Sequence, residues 1–554
     1  MCKFFSLYPY FIKDSLSNFV VLAIGLFTLL TLIYSSKFMK GKEGLLRYYT
    51  YIILTAIASI GAVRSNNLIL LFVFWGFLGL TLYLLINMGE KTSTIAKKTF
   101  IIIGASDALM LLGIAIIYNL SGTFQMDAIS LNLDNSSMSI IAYLCMALAC
   151  FAKAGAMPMH SWIPESAEKA PLPVVAFLPA SLDKLLGIYL LARLSLDLFV
   201  MNQAMNTFLM IVGAITIIAA VMMALVQHNM KKLLGYHAVS QVGYMVLGIG
   251  TGIPIGIAGG IFHMLNNAIY KSCLFFTAGN VEHRMKTTEL NRLGGLASLM
   301  PVTYIACLIA SLSISGVPPF NGFVSKWMVY QGLVQRLSSE SGGSITAICL
   351  VAAMFGSGLT LASFMKLIHA TFLGQRIDQH KAKVSEVSWP MWLPCVILAL
   401  ICIIFGVFAN QLPLKYFILP SVGEVSFLGV WYARLASLMI LVGFIVGILI
   451  FRFKGLTPNF REDSSFTGGE PITAEIDQNR VTGTEFYNTI KDIGILRAVY
   501  KKAEAGVFDI YEQLRKATFL ISGFLRYLHN GILPTYLVWC LLGMIGIFYL
   551  LVFK

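Results

Sequence analysis

Two lysines set inside apolar sequence are the residues through which this chain could do chemistry: Lys153 in ALACFAKAGAMP and Lys326 in GVPPFNGFVSKW. The first is followed by Pro158 and the second is preceded by Pro318 and Pro319, so each lies beside a helix break. A charge at the centre of a bilayer costs roughly 2.5–3.5 kcal/mol on insertion scales, so such groups face a protein interior or a wet cavity and mark ion paths. An ammonium held out of water gives up and regains a proton as a nearby carboxylate comes and goes, which is what a proton relay needs. The bland alternative is a lysine that snorkels to the interface. Recurrence beside two breaks favours the path.

Further ionisable residues fall in similar sequence. Asp107, in IIGASDALMLLGI, is the natural partner for Lys153, with a plain structural ion pair as the alternative. Asp183 and Lys184 are neighbours on one helix and point about 100° apart, so each needs its own partner on another helix. His263, Asn267 and Lys271 recur at i, i+4 and i+8 on one helix face, as a hydrated line would require, although a lone membrane histidine is often a hydrogen-bonded core residue. His237, Lys366 and His369 fit either a path or helix-end structure. There is no GxGxxG, Walker loop, HExxH or nucleophile elbow. The nine cysteines are scattered without a CxxC pair. No catalytic residue, metal site or cofactor site is expected in this chain.

The elements that must hold these residues are membrane spans. The chain has 554 residues, of which 58% are hydrophobic and only 12% charged, with a mean hydropathy of +0.79. This is an all-α polytopic membrane protein. Runs near bilayer length fall at 18–37, 48–65, 67–87, 98–119, 137–157, 174–196, 205–226, 233–251, 256–279, 297–317, 345–371, 389–411, 428–451 and 532–553, about fourteen transmembrane helices. The first is read as a retained helix and not a cleaved signal. The net charge of +14 comes mostly from short loops, where it sets topology and does not imply nucleic acid. Lys37, Lys40, Lys42, Arg47, Lys91, Lys97, Lys98, Lys231, Lys232, Arg284, Lys286, Arg292, Arg376, Lys381 and Lys383 fall on one side, taken as cytoplasmic, which puts both termini outward.

Six segments follow: 1–47, an N-terminal span and loop; 48–196 and 205–371, two five-helix repeats; 389–451, two more spans; 452–530, a cytoplasmic segment; and 531–554, a final span. The fourth span of each repeat holds a proline break and a lysine. An odd number of spans inverts successive repeats, an arrangement that transporters use around midplane broken helices. From about 494 to 529 the pattern is amphipathic, giving a lateral helix roughly 50 Å long if continuous.

FAKAGAMPMHSWIPESAEKAPLPV, KKLLGYHAVSQVGYM, FHMLNNAIYKSCLFF and GVPPFNGFVSKW together resemble the antiporter-like subunits of the complex I and Mrp antiporter superfamily, over residues 18–451. The resemblance implies that Lys153 and Lys326 are the broken-helix lysines, Lys184 the lysine of the following helix, Asp107 an acidic partner, and His263 and Lys271 parts of the linking line. Two positions depart. Trp75-Gly76 stands where the family has Trp-Glu, and Asn267 where many members have histidine. Together with AFLPASLDKLLGIYLLAR, the first departure points toward the large subunits of energy-converting, formate hydrogenlyase-type hydrogenases.

The resemblance implies a proton- or sodium-translocating subunit of a redox-driven complex in a bacterial or archaeal cell membrane. Its partners would be other antiporter-like and small membrane subunits and a peripheral cytoplasmic arm carrying iron–sulfur clusters and nickel–iron. The alternatives are a redox-independent cation/proton antiporter, a bicarbonate-uptake complex, and a degenerate scaffold that keeps its polar line only for packing.

Overall fold

The computed structural model describes residues 10–134, 136–339, 342–374, 384–429, 431–453, 484 and 487–552. It divides into a large unit ending at Ile493 and a small one from Gly494. The large unit opens with α1 (Ser15–Phe38), α2 (Leu45–Arg64), α3 (Leu68–Ile86) and α4 (Ser93–Ser121). After the two-residue strand β1 (Leu131–Asn132) come α5 (Ser137–Ala154), α6 (Trp162–Lys169), α7 (Leu172–Phe177) and α8 (Asp183–Arg193). β2 (Phe199–Val200) pairs in parallel with β1. Then follow α9 (Gln203–Leu225), α10 (Met230–Gly250), α11 (Pro254–Met285), α12 (Pro301–Ser315), α13 (Asn321–Leu337), α14 (Ser344–Ile368), α15 (Trp389–Val407), α16 (Leu419–Val422), α17 (Ala433–Phe453) and α18 (Asn488–Asp492).

Asparagines start several of these helices by accepting from first-turn amides, as Asn67 does for α3, Asn202 for α9 and Asn229 for α10. Glu386 does so from a distance: its carboxylate takes the Val302 and Thr303 amides at 2.9 and 3.1 Å, at the N-terminus of α12. Asp14 caps α1 in a reciprocal box with Ser17 and also pairs with Arg193. Burial would raise the Asp14 carboxyl, but the Arg193 guanidinium and the Ser17 amide outweigh it and hold it below its usual range.

Among the described residues ten helices are long and apolar enough to cross a membrane, counting Leu172–Leu198 and Ser344–Leu373 as continuous through π-helical turns. Pro301–Ser315 and Ala433–Leu449 are shorter apolar helices. α10 and α11, both read as spans from the sequence, are fully helical but too polar to count by hydropathy, because they carry His237, Gln241, His263, Asn266, Asn267 and Lys271 on buried faces. Ile348, Val351, Met354 and Phe355 on α14 point outward, as a lipid-facing stripe would.

Glycines bring the central backbones together. A Cβ on Gly243 would lie 2.5 Å from the Gly213 carbonyl oxygen, and one on Gly332 would lie 2.5 Å from the Gly256 Cα. α9 and α10, and α11 and α13, therefore touch main chain to main chain.

Both expected breaks are present. α5 ends at Gly155, with φ +87°, before Pro158 and α6; α12 ends at Gly316, with φ +82°, before Pro318, Pro319 and α13. Lys153 precedes its break and Lys326 follows its own. A third interruption, which hydropathy does not reveal, is the π-helical turn Leu178–Leu182 between α7 and α8. Pro179 has no N–H to continue the α-helical ladder there, and the Ser181 hydroxyl donates to the Phe177 carbonyl at 2.6 Å.

The small unit holds α19 (Gly494–Glu504), α20 (Ile510–Leu528) and α21 (Leu533–Val552). The single lateral helix expected over 494–529 is two amphipathic helices, because Gly506 turns the chain at φ +72°. The loop charges Arg376, Lys381 and Lys383, and most of the polar stretch before Gly494, lie outside the described residues.

Candidate ion path

The first cluster gathers at the α5 break. The Lys153 Nζ lies 3.6 Å from the Asp183 Oδ1, and their side chains are 0% and 1% exposed. Trp75 on α3 turns its ring toward the same ammonium, 5.6 Å from the ring centre. The expected pair of Lys153 with Asp107 is thus not the ion pair that forms. Asp107 on α4 lies within electrostatic reach of Lys153, but the π-helical turn presents Asp183 to it instead. The neighbouring Lys184 donates to the Ala154 carbonyl at 2.7 Å, the last carbonyl of α5 and the residue after Lys153.

At 3.6 Å the Lys153–Asp183 pair is too long for a direct hydrogen bond. Among the described residues the Lys153 Nζ, both Asp183 oxygens, the Asp107 Oδ1 and the Trp75 Nε1 have no hydrogen-bond partner. Five polar atoms thus share one buried place, Trp75 near Asp107 and Lys153 near Asp183, each pair just outside hydrogen-bond geometry.

The second cluster gathers at the α12 break. The Lys326 Nζ donates to the Ile314 carbonyl at 2.9 Å and to the Ser357 hydroxyl at 3.0 Å, and sits 4.6 Å over the Tyr244 ring. Lys184 and Lys326 therefore make the same contact. Each rests its charge on carbonyls that a break leaves without helical partners.

Between the clusters runs the α11 face. The Lys271 Nζ donates to the Leu234 carbonyl at 2.9 Å. His263 meets Ser325 at 2.9 Å through Nδ1, and Gln241 at 3.1 Å and Tyr270 at 3.2 Å through Nε2. Asn267 is fully buried, and neither its Oδ1 nor its Nδ2 finds a partner among the described residues. Electrostatic neighbours follow in order: Asp183 with Lys184, Lys184 with Lys271, Lys271 with His237, and Lys326 with both His237 and His263. Lys366 closes the last turn of α14 and donates to the Leu225 and Gln227 carbonyls at 2.6 and 2.8 Å, where α9 ends. Near the starts of α4 and α10 and the end of α11, Lys98–Glu165 and Lys231–Glu282, each at 2.6 Å, and Lys232–Glu168 at 3.2 Å pin α6 and its neighbours.

Residues 65–368, more than half of the chain and all of both clusters, match the family model described as NADH:quinone oxidoreductase/Mrp antiporter, transmembrane. The chain belongs to this family. It is 31% identical over 532 residues to a Na(+)/H(+) antiporter subunit of Alkalihalophilus pseudofirmus, covering 87% of this chain and 64% of that protein. It is 30% identical over 422 residues to the chloroplastic NAD(P)H-quinone oxidoreductase subunit 5 of Chaetosphaeridium globosum, covering 72% of this chain and 61% of that one. The chain thus spans a little under two thirds of the length of these relatives. Among solved structures, a chain of the archaeal membrane-bound sulfane sulfur reductase superposes with a TM-score of 0.80 at 22% identity, over 97% of this chain and 89% of that one. A chain of the Mrp complex from a Dietzia species gives 0.68 at 22% identity, over 74% and 84%.

Around these clusters, Gln241, Tyr244, Tyr270, Ser325 and Ser357 were not singled out from the sequence, and Trp75 was noted only as the neighbour of Gly76. A glutamine and two tyrosines in otherwise apolar helices were the available signal for three of them. A Cβ at Gly76, where the resemblance expects a glutamate, would meet nothing within 4 Å.

Proposed function

We propose that this chain is the ion-translocating subunit of a multi-subunit, redox-driven complex of a bacterial or archaeal cell membrane, with protons as the ion moved. The observation that carries the reading is the buried set Lys153, Asp183 and Lys184, in which one carboxylate stands between two ammonium groups amid unsatisfied polar atoms. A carboxylate shared in this way can favour either lysine. Charge arriving at one end would loosen Lys153 from Asp183 and let Asp183 hold Lys184. The displaced proton would then pass along Lys271 and His263 and leave near Lys326.

In this reading the chain has about fourteen spans with inverted repeats over 48–196 and 205–371, outward termini, and α19–α20 on the cytoplasmic face. Iron–sulfur clusters and a nickel–iron centre would belong to partner chains of the peripheral arm. The near-complete superposition on the sulfane sulfur reductase chain, including residues beyond the family match, supports the redox setting. The second reading is a component of a cation/proton antiporter without redox partners, favoured by the identity to Na(+)/H(+) antiporter subunits.

Purification of the assembled complex in mild detergent, followed by metal analysis and transport in proteoliposomes, tests both parts. Iron or nickel with redox partners supports the leading reading, and a metal-free transporting complex favours the second. Lys153→Ala and Lys326→Ala should each abolish transport while assembly survives. Normal transport in both assembled variants would overturn the path itself.

A further inference from the structure

We infer that a second arm joins the polar line, from Lys271 through His237 and Ser363 to Lys366, and that protons load through it from the membrane face where α9 ends. The inference rests on the function proposed above. His237 is fully buried two turns inside α10, past the first-turn amides that Asn229 caps, so a helix-end role does not account for it. Its Nε2 lies 2.7 Å from the Ser363 hydroxyl on α14. Ser363 and Lys366 are three residues apart on that helix and share a face.

Lys366 is 2% exposed, yet its carbonyl partners include Gln227, in the partly exposed turn between α9 and α10. That turn adjoins Lys231 and Lys232, on the side that the Lys and Arg excess marks as cytoplasmic. Inward, Lys271 bonds the Leu234 carbonyl, one turn before His237 on α10. Phe364 fills the wall between them, 4.7 Å from the His237 ring and 5.7 Å from the Lys271 ammonium. The His237 Nδ1 has no hydrogen-bond partner among the described residues, so the imidazole has one nitrogen engaged with Ser363 and one open to a donor or acceptor on the inner side.

This is the geometry a two-nitrogen shuttle needs. A proton leaves the Lys366 ammonium for the Ser363 oxygen as the Ser363 hydroxyl proton passes to Nε2, and the Nδ1 proton leaves toward neutral Lys271. The ring and the hydroxyl end neutral, Lys271 ends charged, and Lys366 regains its proton from water at the 227–229 turn. Every transfer is between nitrogen and oxygen, directly or through water, and no heavy-atom bond changes.

The test uses the assembled complex in proteoliposomes, with initial proton movement read by a pH-sensitive dye. Lys366→Arg keeps the positive charge and five donors for the α9 carbonyls but cannot release a proton. His237→Gln keeps a polar group for Ser363 but cannot shuttle. Each is expected to lower transport at least tenfold in complexes that assemble normally. If both transport at the parental rate while Lys153→Ala is inactive, the arm is overturned and the main path stands. Active Lys153→Ala complexes would overturn the path and the arm with it. Should His237→Gln fail to assemble, Lys366→Arg alone decides, since a structural lysine at this site is rescued by arginine and a relay lysine is not.

Discussion

Asp183→Leu is the substitution that most directly probes how the first cluster works. It removes the counter-ion of a lysine whose side chain is 0% exposed and whose ammonium otherwise faces the Trp75 ring and the more distant Asp107. Removing one partner of a buried pair costs about 3–5 kcal/mol, because the other charge is left without compensation, whereas replacing both partners with apolar groups is often near neutral. Asp107 offsets part of the loss, so the lower end, about 3 kcal/mol, is expected.

At about 1.4 kcal/mol per decade this is roughly a hundredfold drop in any rate that requires charged Lys153. The assay is a double-mutant cycle on the purified complex: thermal unfolding and proton transport for Asp183→Leu, Lys153→Met and the double variant. The double variant should be more stable than Asp183→Leu by about 2 kcal/mol or more, yet equally inactive. If Asp183→Leu is as stable as the parent and transports within threefold of it, Asp183 is not the counter-ion and the shared-carboxylate mechanism fails.

Lys326→Ala should assemble and lose transport, since its ammonium has carbonyls and a hydroxyl as partners and strands no carboxylate when removed; parental proton movement in proteoliposomes would refute this. Gly187→Ala places a Cβ 2.7 Å from the Ala154 amide nitrogen and 2.8 Å from the Cys150 carbonyl oxygen, so α8 must back away from α5. A loss of about 1–3 kcal/mol in the unfolding of the complex is expected, with transport falling as Lys153 and Asp183 separate. Unchanged stability would show that the two helices do not cross in such close contact. Asp14 gives a pH signature. Its carboxyl is held below its usual value near 3.8, so its contribution is complete above that value and is lost as pH falls through the lower folded value. Melting temperature should therefore fall more steeply below pH 4 in the parent than in Asp14→Asn, and parallel curves would contradict the Arg193 pairing.

Much of the buried polar line was legible because membrane sequence is so restrictive. An ionisable residue in an apolar run is conspicuous, so Lys153, Asp183, Lys184, Lys271 and Lys326 could be read by inspection, and the glycine–proline breaks announced where backbone groups come free. What hydropathy could not carry was rotation. Five residues wound as a π-helical turn at Leu178–Leu182 change which side chains of α8 face α5, and with them the partner of Lys153. Pro179, four residues before Asp183, was the only local trace of that turn. α10 and α11 stretched the hydropathy rule in the other direction: they are buried on nearly every side, so their polar face meets protein and not lipid. Residues 494–529 read as one helix because their amphipathic period carries on after a single glycine, Gly506, whose positive φ ends the first helix.

The glycine seams carry a consequence for how access can alternate. Where Gly213 meets Gly243, and Gly256 meets Gly332, main chain lies against main chain, with no side-chain layer to shear. Helices seated this closely leave no room at these points for a side chain or a water between them, so a cleft between α9 and α10 or between α11 and α13 would have to part backbone from backbone. Under the proposed function, switching would fall to side-chain rotamers, which rearrange far faster than packed helices slide. Under the same proposal the barrier would then stay closed throughout a cycle, and a stalled complex would be expected to stay electrically tight.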